Sequence, residues 1–249
     1  HNKNKIKELV RDYVHPETGE LINKNRLDVG GLGKARFILK EGGTLGDLYT
    51  QSDLKRDDNG MVDIDPTGIV AIENNLPDIK LGSVFPKANL AWSNHFSWKG
   101  ISLSALFTAR IGGIVYSATE AAMDQYGVSE RSALGRDNGG VLVNNRTLVD
   151  AQNYYTTIGS ESGLPQYYTY NATNVRLQEA SIGYLIPRKW LGNVCDIQVS
   201  VIGRNLWMIY NKAPFDPESV ATTDNYYQGI DYFMLPSTRN IGFNVKINF

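Results

Sequence analysis

Between Asn89 and Ile111 the sequence holds two alternating runs joined by a two-residue turn. In the first run Leu90, Trp92, Phe96 and Trp98 share one phase, while Ala91, Ser93, His95 and Ser97 share the other. Asn94 interrupts the apolar phase. After Lys99-Gly100, Ile101, Leu103, Ala105, Phe107, Ala109 and Ile111 alternate with Ser102, Ser104, Leu106, Thr108 and Arg110. Period 2 over this length predicts a hairpin of two strands, each with one apolar and one polar face. Each run has about ten residues, the length a tilted strand needs to cross a bilayer.

The pattern resumes downstream. In "NVRLQEASIGYLIP", Val175 and Leu177 share a phase, and Ala180, Ile182, Tyr184 and Ile186 share the opposite one. A one-residue slip near Gln178 predicts a β-bulge. Residues 187–194 form a short connector, and "DIQVSVIGRNLWMIY" reads as another strand with Ile197, Val199 and Val201 on one side. A closing strand starts near Ser237; there Ile241, Phe243, Val245, Ile247 and Phe249 alternate with Gly242, Asn244, Lys246 and Asn248. Long polar segments, 112–170 and 211–236, separate these strands, and "YSATEAAMDQYG" within the first predicts a short helix ended by Gly127. In residues 1–86, "ARFILKEGG" and "GDLYTQSDL" read as strand pieces among turn-rich stretches, with the strand count left open.

Short connectors thus alternate with long ones, the asymmetry of transmembrane barrels. Arg110, Arg176, Arg204 and Lys246 all fall in the polar phase of their strands, as does His95, which makes them candidate lumen-facing residues. A lipid-facing Arg or Lys near mid-membrane costs about 2–4 kcal/mol, whereas a lumen-facing one stays hydrated or paired. Phe96, Trp98 and Tyr184 lie beside the short turns and read as an aromatic girdle at one interface. Phe249 would complete that girdle and serve as an assembly signal. Ile241, Phe243, Val245 and Ile247 should face lipid, with Val245 at about mid-membrane.

Composition narrows the function classes. The 249 residues carry 42% apolar residues and a formal net charge of -1, which argues for a folded core and against a nucleic-acid partner. Cys195 is the single cysteine, so no internal disulfide forms. No run approaches the roughly 20 apolar residues of a membrane helix, and the N-terminus lacks the pattern of a signal peptide. Hydropathy windows do not detect barrel strands, so soluble β protein and outer-membrane barrel both stay open on this ground. "GGLGKA" lacks the first glycine and the Ser/Thr of a phosphate loop. "DDNGMVDID" fails a calcium-loop alignment, since Lys55 and Pro66 would occupy ligand positions. His1, His15 and His95 lack metal-ligand spacing, and no G-x-S-x-G elbow occurs. Asp216 and Glu218 in "FDPES" read as turn formers rather than a catalytic pair. No metal, cofactor or catalytic residue is expected. The loop tyrosines Tyr154, Tyr155, Tyr167, Tyr168, Tyr170, Tyr226, Tyr227 and Tyr232 are candidate substrate or partner contacts, since aromatic faces stack on sugars and peptide side chains.

Seven phrases, in this order and spacing, carry a resemblance: "NKNKI", "RFILKEGGTLGDLY", "NLAWSNHFSWKGISLSALFTARIGG", "NATNVRLQEASIGYLIP", "GRNLWMIY", "FDPES" and the final "INF". Together they resemble the C-terminal part of SusC/RagA-like TonB-dependent transporters, over nearly all of residues 1–249. The resemblance implies an all-β chain forming part of a large antiparallel transmembrane barrel of about 22 strands with long extracellular loops. It also implies outer-membrane import of oligosaccharides or peptides, a SusD-like lipoprotein partner, and energy supplied through TonB. The plug domain and TonB box of such proteins are absent from this chain. A soluble carbohydrate-binding β-sandwich and a glycoside hydrolase are the competing readings.

Overall fold

The computed structural model describes residues 3–144, 146–192, 194–222 and 227–248. Its first third consists of short strands: β1 (Val10–Val14), β2 (Leu21–Lys24), β3 (Arg26–Leu32), β4 (Ala35–Lys40), β5 (Asp47–Thr50), β6 (Asp53–Leu54), β7 (Ile72–Glu73) and β8 (Ile79–Ser83). A long hairpin follows, β9 (Ala88–Trp98) and β10 (Ile101–Ile111). The middle holds β11 (Ile114–Ser117), α1 (Ala118–Gln125), α2 (Glu130–Asp137), β12 (Val141–Val143), β13 (Thr147–Val149), α3 (Ala151–Gly159) and β14 (Thr169–Asn171). The long strands β15 (Asn174–Ile186) and β16 (Asp196–Asn211), the short β17 (Ile230–Asp231) and finally β18 (Asn240–Asn248) complete it.

The long strands form one antiparallel sheet in the order β18-β16-β15-β10-β9. At the β9–β10 turn Lys99 and Gly100 have φ of 48° and 88°, the left-handed pair that matches the twist of the flanking strands. The predicted slip at Gln178 is present: pairing with both neighbours skips it, between Leu177 and Glu179. The partner strand bulges at the same level, where Asn205 has φ of 50°. The two bulged side chains bond to each other, with Gln178 Nε2 donating to Asn205 Oδ1 at 2.9 Å.

Register fixes the faces. Trp98, Ile101, Tyr184, Val199 and Val245 form one row across all five strands. Above it lie Phe96, Leu103, Ile182, Val201 and Phe243, then Asn94, Ala105, Ala180, Gly203 and Ile241. Trp92, Phe107, Leu177 and Trp207 form the next row, in which the Trp92 and Phe107 rings stack at 5.4 Å. Among the described residues no protein layer covers this face: Phe243 is 82% exposed and Ile241 69%. A soluble β-sandwich would bury such a surface under a second sheet, so the sandwich reading fails here. A hydrocarbon environment accounts for it. The 11 residues of β9, at about 3.3 Å each and a tilt near 40°, span roughly 28 Å, close to the bilayer core. Among the described residues no helix is long and apolar enough to cross a membrane.

Asn94 sits on the apolar face, as its phase in the sequence requires, opposite Ala105 on strand β9. Two sequence expectations need correction. Val245 lies in the same row as Trp98 and Tyr184, beside the short turns, so it is interfacial rather than mid-membrane. The segment 112–170 is a folded unit with the main core of the chain. Phe37, Leu48 and Val84 from the N-terminal third pack there with Tyr116, Ile158, Leu164 and Tyr168. The expected helix ending at Gly127 is α1, with Ser117 as N-cap and Gly127 at φ of 69° just beyond it. Among the described residues, 3–86 join this cap and none of them adds a strand to the long sheet.

All cap segments join the sheet at one end, before β9, between β10 and β15 and between β16 and β18, while the short turns 99–100 and 187–194 lie at the other. Depth along the apolar face then predicts different outcomes for neighbouring substitutions. Phe243→Arg, well inside the apolar band, should cost roughly 2–4 kcal/mol and sharply reduce folded protein in outer-membrane fractions, read by heat-modifiable gel mobility. Val245→Arg should cost less, about 0–1 kcal/mol near the interface, and Asn244→Arg, on the polar face, should assemble nearly as wild type. Equal loss for Phe243→Arg and Asn244→Arg would show the face assignment to be wrong.

Candidate functional site

The polar face of the sheet is built from the alternate residues of the same strands. Ser97, Ser102, Gly183, Ser200 and Asn244 form one row; His95, Ser104, Ser181 and Ile202 form the next. Ser104 and Ser181 hydroxyls lie 2.6 Å apart, and Gln198 Nε2 reaches Ser102 Oγ at 3.5 Å. Higher up, Arg204 Nε donates to Glu179 Oε2 at 2.9 Å across the β16–β15 pair. Lys246 faces Gln198 near the short-turn end. All five charged or titratable candidates, His95, Arg110, Arg176, Arg204 and Lys246, therefore share this face. Period 2 sets the face within each strand, and the register, with the slip at Gln178, brings the strands' polar residues to the same side.

Arg110 and Arg176 stand at the cap end of the polar face, and the structure gives both a partner the sequence did not. Arg176 is buried and donates to Asp216 Oδ1 at 2.9 Å, with Glu218 Oε2 3.2 Å away. Asn174 Oδ1 accepts from its Nε at 3.3 Å. The Ser237 hydroxyl donates to the second oxygen of Asp216. Burial alone would raise the Asp216 carboxyl, but the Ser237 and Arg176 hydrogen bonds outweigh it and hold the group below its ordinary range. Arg110 donates through Nη2 to the Val84 carbonyl at 2.7 Å, and its Nε is buried without a partner among the described residues. These two arginines tie strands of the sheet to the roof: Val84 to the end of β8, Asp216 and Glu218 to the segment after β16.

Beneath that roof lies a niche of about 430 Å³ lined by Asn89, Thr108, Arg110, Gln178, Glu218 and Gln228. Its walls offer amide, hydroxyl, guanidinium and carboxylate groups, a surface that can hydrogen-bond a polar ligand from several sides. Asp216 and Glu218, read from sequence as turn formers, are counter-ions of Arg176. The only sequence signal for that role was an inward arginine requiring one.

The tyrosines divide. Tyr168 is fully buried, donates to Asp124 Oδ2 at 2.9 Å, and lies under the Arg131 guanidinium at 4.7 Å from the ring centre. Burial, then the neighbouring Asp124 charge, pushes its hydroxyl well above the usual range. It has no face for a ligand. Tyr154 and Tyr155 meet edge to face at 5.4 Å, and with Tyr167 they pack against the cap core. Tyr170 meets the Phe215 ring at 5.7 Å. These rings build the cap, because a segment of this length needs a core of its own. Tyr227 and Tyr232 remain exposed, and Tyr232 pairs edge to face with exposed Phe233 at 5.1 Å. Tyr226 and Phe249 lie outside the described residues.

No family model matches the chain. It is 25% identical over 175 residues to TonB-dependent receptor P3 of Formosa agariphila, covering 67% of this chain and 17% of that protein. The structure is similar to that of the RagAB peptide transporter, with a TM-score of 0.58 at 17% identity over 93% of this chain and 26% of that one. It is also similar to the RagAB peptide importer in its 'open-open' state, with a TM-score of 0.59 at 16% identity over 98% of this chain and 25% of that one. The chain thus spans about a sixth of the curated relative and a quarter of the solved ones. It resembles part of a TonB-dependent transporter of the SusC/RagA-like kind, and its fold is that of a sector of an outer-membrane β-barrel.

The Arg176 cluster generates a measurable consequence. Arg176→Met leaves the Asp216 carboxylate buried and unpaired, at a cost of about 3–5 kcal/mol. Limited proteolysis should then cut within residues 212–222 much faster than in wild type. Adding Asp216→Asn to Arg176→Met should recover part of the protection. Additive damage in the double variant would remove the pair from this role.

Proposed function

We propose that this chain is the C-terminal part of a TonB-dependent importer of about 22 strands, which takes up oligosaccharides or peptides together with a SusD-like surface lipoprotein. The observation that carries the reading is the five-stranded sheet with an uncovered apolar face, a polar opposite face and all its long connections folded into a cap at one end. The two solved relatives are described as a peptide transporter and a peptide importer, which supports uptake of a solute through the polar side. In this reading the apolar rows meet lipid and the Ser97 and His95 rows line the lumen. The short turns face the periplasm and the cap faces outward. The niche beside Arg110 and Glu218 lies on the solute's path, and the exposed rings of Tyr227 and Tyr232 offer contact surface above it. Energy comes from TonB acting on a plug domain that this chain does not include. The polar groups orient and pass a solute; they perform no bond chemistry.

Orientation is testable on intact cells. In a Cys195→Ser background, a cysteine placed at Leu142, exposed on the β12–β13 hairpin of the cap, should react with an impermeant maleimide. A cysteine at Lys99 should react only after the outer membrane is opened. Labelling of Lys99→Cys from outside, with Leu142→Cys protected, would invert the topology.

Import is tested separately. Cells that depend on the full-length protein for a radiolabelled oligosaccharide or peptide should lose accumulation on TonB depletion. Arg110→Gln should lower uptake several-fold with assembly intact. Uptake unaffected by both changes would refute active import through this lumen.

A further inference from the structure

We propose that the short-turn end of the sheet carries a cationic rim that recruits anionic phospholipid headgroups, such as phosphatidylglycerol, at the membrane surface. The rim consists of Lys99 in the β9–β10 turn and of Arg188 and Lys189 in the β15–β16 connector. The exposed indoles of Trp98 and Trp190 stand beside them.

The sheet places these groups at headgroup depth. The row of Trp98, Ile101, Tyr184, Val199 and Val245 closes the broad apolar face, and beyond it only Ile186, Ile197 and Ile247 continue that face. Lys99 directly follows Trp98, and Arg188 stands two residues past Ile186. Printed contacts aim and order the rim. Lys99 Nζ lies over the Trp98 ring at 4.9 Å from its centre. That ring belongs to the apolar row, so the ammonium stands on the lipid side of the wall and not in the lumen. Leu185 N–H donates to the Gly100 carbonyl at 2.7 Å, which joins the start of the connector to the β9–β10 turn. The connector holds a 3-10 turn over Arg188–Leu191, closed by Trp190 N–H donating to the Pro187 carbonyl at 2.8 Å. Arg188 Nη2 donates to the Val194 carbonyl at 3.3 Å. Tryptophan and snorkelling cations are the side chains that favour this depth.

Charge selects the lipid. Neither turn contains an Asp or Glu, and among the described residues none of the three cations has an ion-pair partner. Asp196, the carboxylate closest in sequence to the connector, lies in the polar phase of β16, because its neighbour Ile197 is on the apolar face. The whole chain has a formal net charge of -1, so three uncompensated cations at one rim are a local excess. A zwitterionic headgroup brings its own ammonium and gains little there. A net anionic phosphodiester gains from each Lys or Arg near the surface. This attraction needs no rigid pocket, since the field of a charged membrane surface acts over a Debye length. The inference rests on the sheet crossing a bilayer and is independent of solute uptake.

The test uses the full-length protein free of other cysteines, in a Cys195→Ser background, with a bimane label on Val194→Cys, an exposed position of the connector. It is reconstituted in phosphatidylcholine bilayers holding equal fractions of phosphatidylglycerol and phosphatidylethanolamine, one of the two brominated near the headgroup. Brominated phosphatidylglycerol should quench the label about threefold more strongly than brominated phosphatidylethanolamine. Lys189→Gln, at an exposed site whose side chain holds neither turn, should lower that preference about twofold. Lys99→Asn, Arg188→Gln and Lys189→Gln together should abolish it, with heat-modifiable gel mobility as the check on folding. In about 1 M salt, where the Debye length falls to about 3 Å, the preference should also vanish. Equal quenching by the two lipids in the labelled parent overturns the proposal, as does a preference that survives in both Lys189→Gln and the triple variant. Loss of the preference in millimolar inorganic phosphate would make the rim a free-anion site and overturn the membrane assignment. Loss of TonB-dependent uptake with the lipid preference intact would count against import and leave the rim assignment standing.

Discussion

Backbone hydrogen bonding in a medium without water sets the rest of this structure. In hydrocarbon an N–H or C=O left unpaired costs several kcal/mol, so strands can cross only when each ladder is continued by a neighbour. The sheet meets that demand from β18 through β9, with two bulges opposed at Gln178 and Asn205. Their side chains bond to each other, and Asn205 Nδ2 donates to the Thr238 carbonyl at 3.1 Å. The irregular level of the sheet thus satisfies polar groups on side chains where the ladder skips. The outer ladders of β9 and β18 have no further strand among the described residues. Closure needs strands on both sides, so the sheet is a sector of a barrel and not a barrel.

The cap answers a different constraint. Ordering a segment as long as 112–170 costs conformational entropy that buried apolar contacts must offset, and these residues cannot use the lipid face for that purpose. They fold instead around their own core, joined by the N-terminal third through Phe37, Leu48 and Val84. Its polar centre is Asp124, a buried carboxylate answered by Arg131, Ser129 and Tyr168. A second such centre lies in the N-terminal sheet, where Asp78 receives Arg26 and Lys40 at 2.8 and 2.6 Å. The hydrogen bond from Arg26 does most to hold that carboxyl well below its usual range. Buried carboxylates surrounded by donors specify geometry more than they add stability, because desolvation offsets much of the attraction.

How much was legible follows from how local each signal is. The faces of β9, β10, β15 and β16, the turn at Lys99-Gly100 and the bulge at Gln178 are all visible because period 2 and its interruption involve adjacent residues. The depth of Val245 was not visible, since it depends on which residue of β16 stands opposite, and hence on the level of the Trp98 row. The role of Tyr168 was hidden for the same reason. A tyrosine in a polar, glycine-rich stretch looks like an exposed contact until the strands β11 and β14 bring it against Asp124 from a helix 44 residues earlier. Asp216 and Glu218 illustrate the intermediate case. Their turn chemistry is local and was read correctly, with Glu218 N–H donating to Asp216 Oδ1 at 3.0 Å. Their pairing with Arg176 is remote and was not.

That remote pairing explains why the two halves of the molecule act together. A polar face inside a barrel tolerates charge, yet Arg176 is buried and Arg110 is partly so, because the roof descends onto them. Removing water there strengthens the Arg176–Asp216 attraction and equally raises the cost of breaking it. Among the described residues Arg110 Nε is buried without a hydrogen-bond partner, beside the niche that the side chain shares with Glu218 and Gln228. The contacts that fasten the cap to the sheet are therefore the Arg176 ion pairs and the Arg110–Val84 hydrogen bond, and all of them stand at the one end of the polar face where the long connections enter.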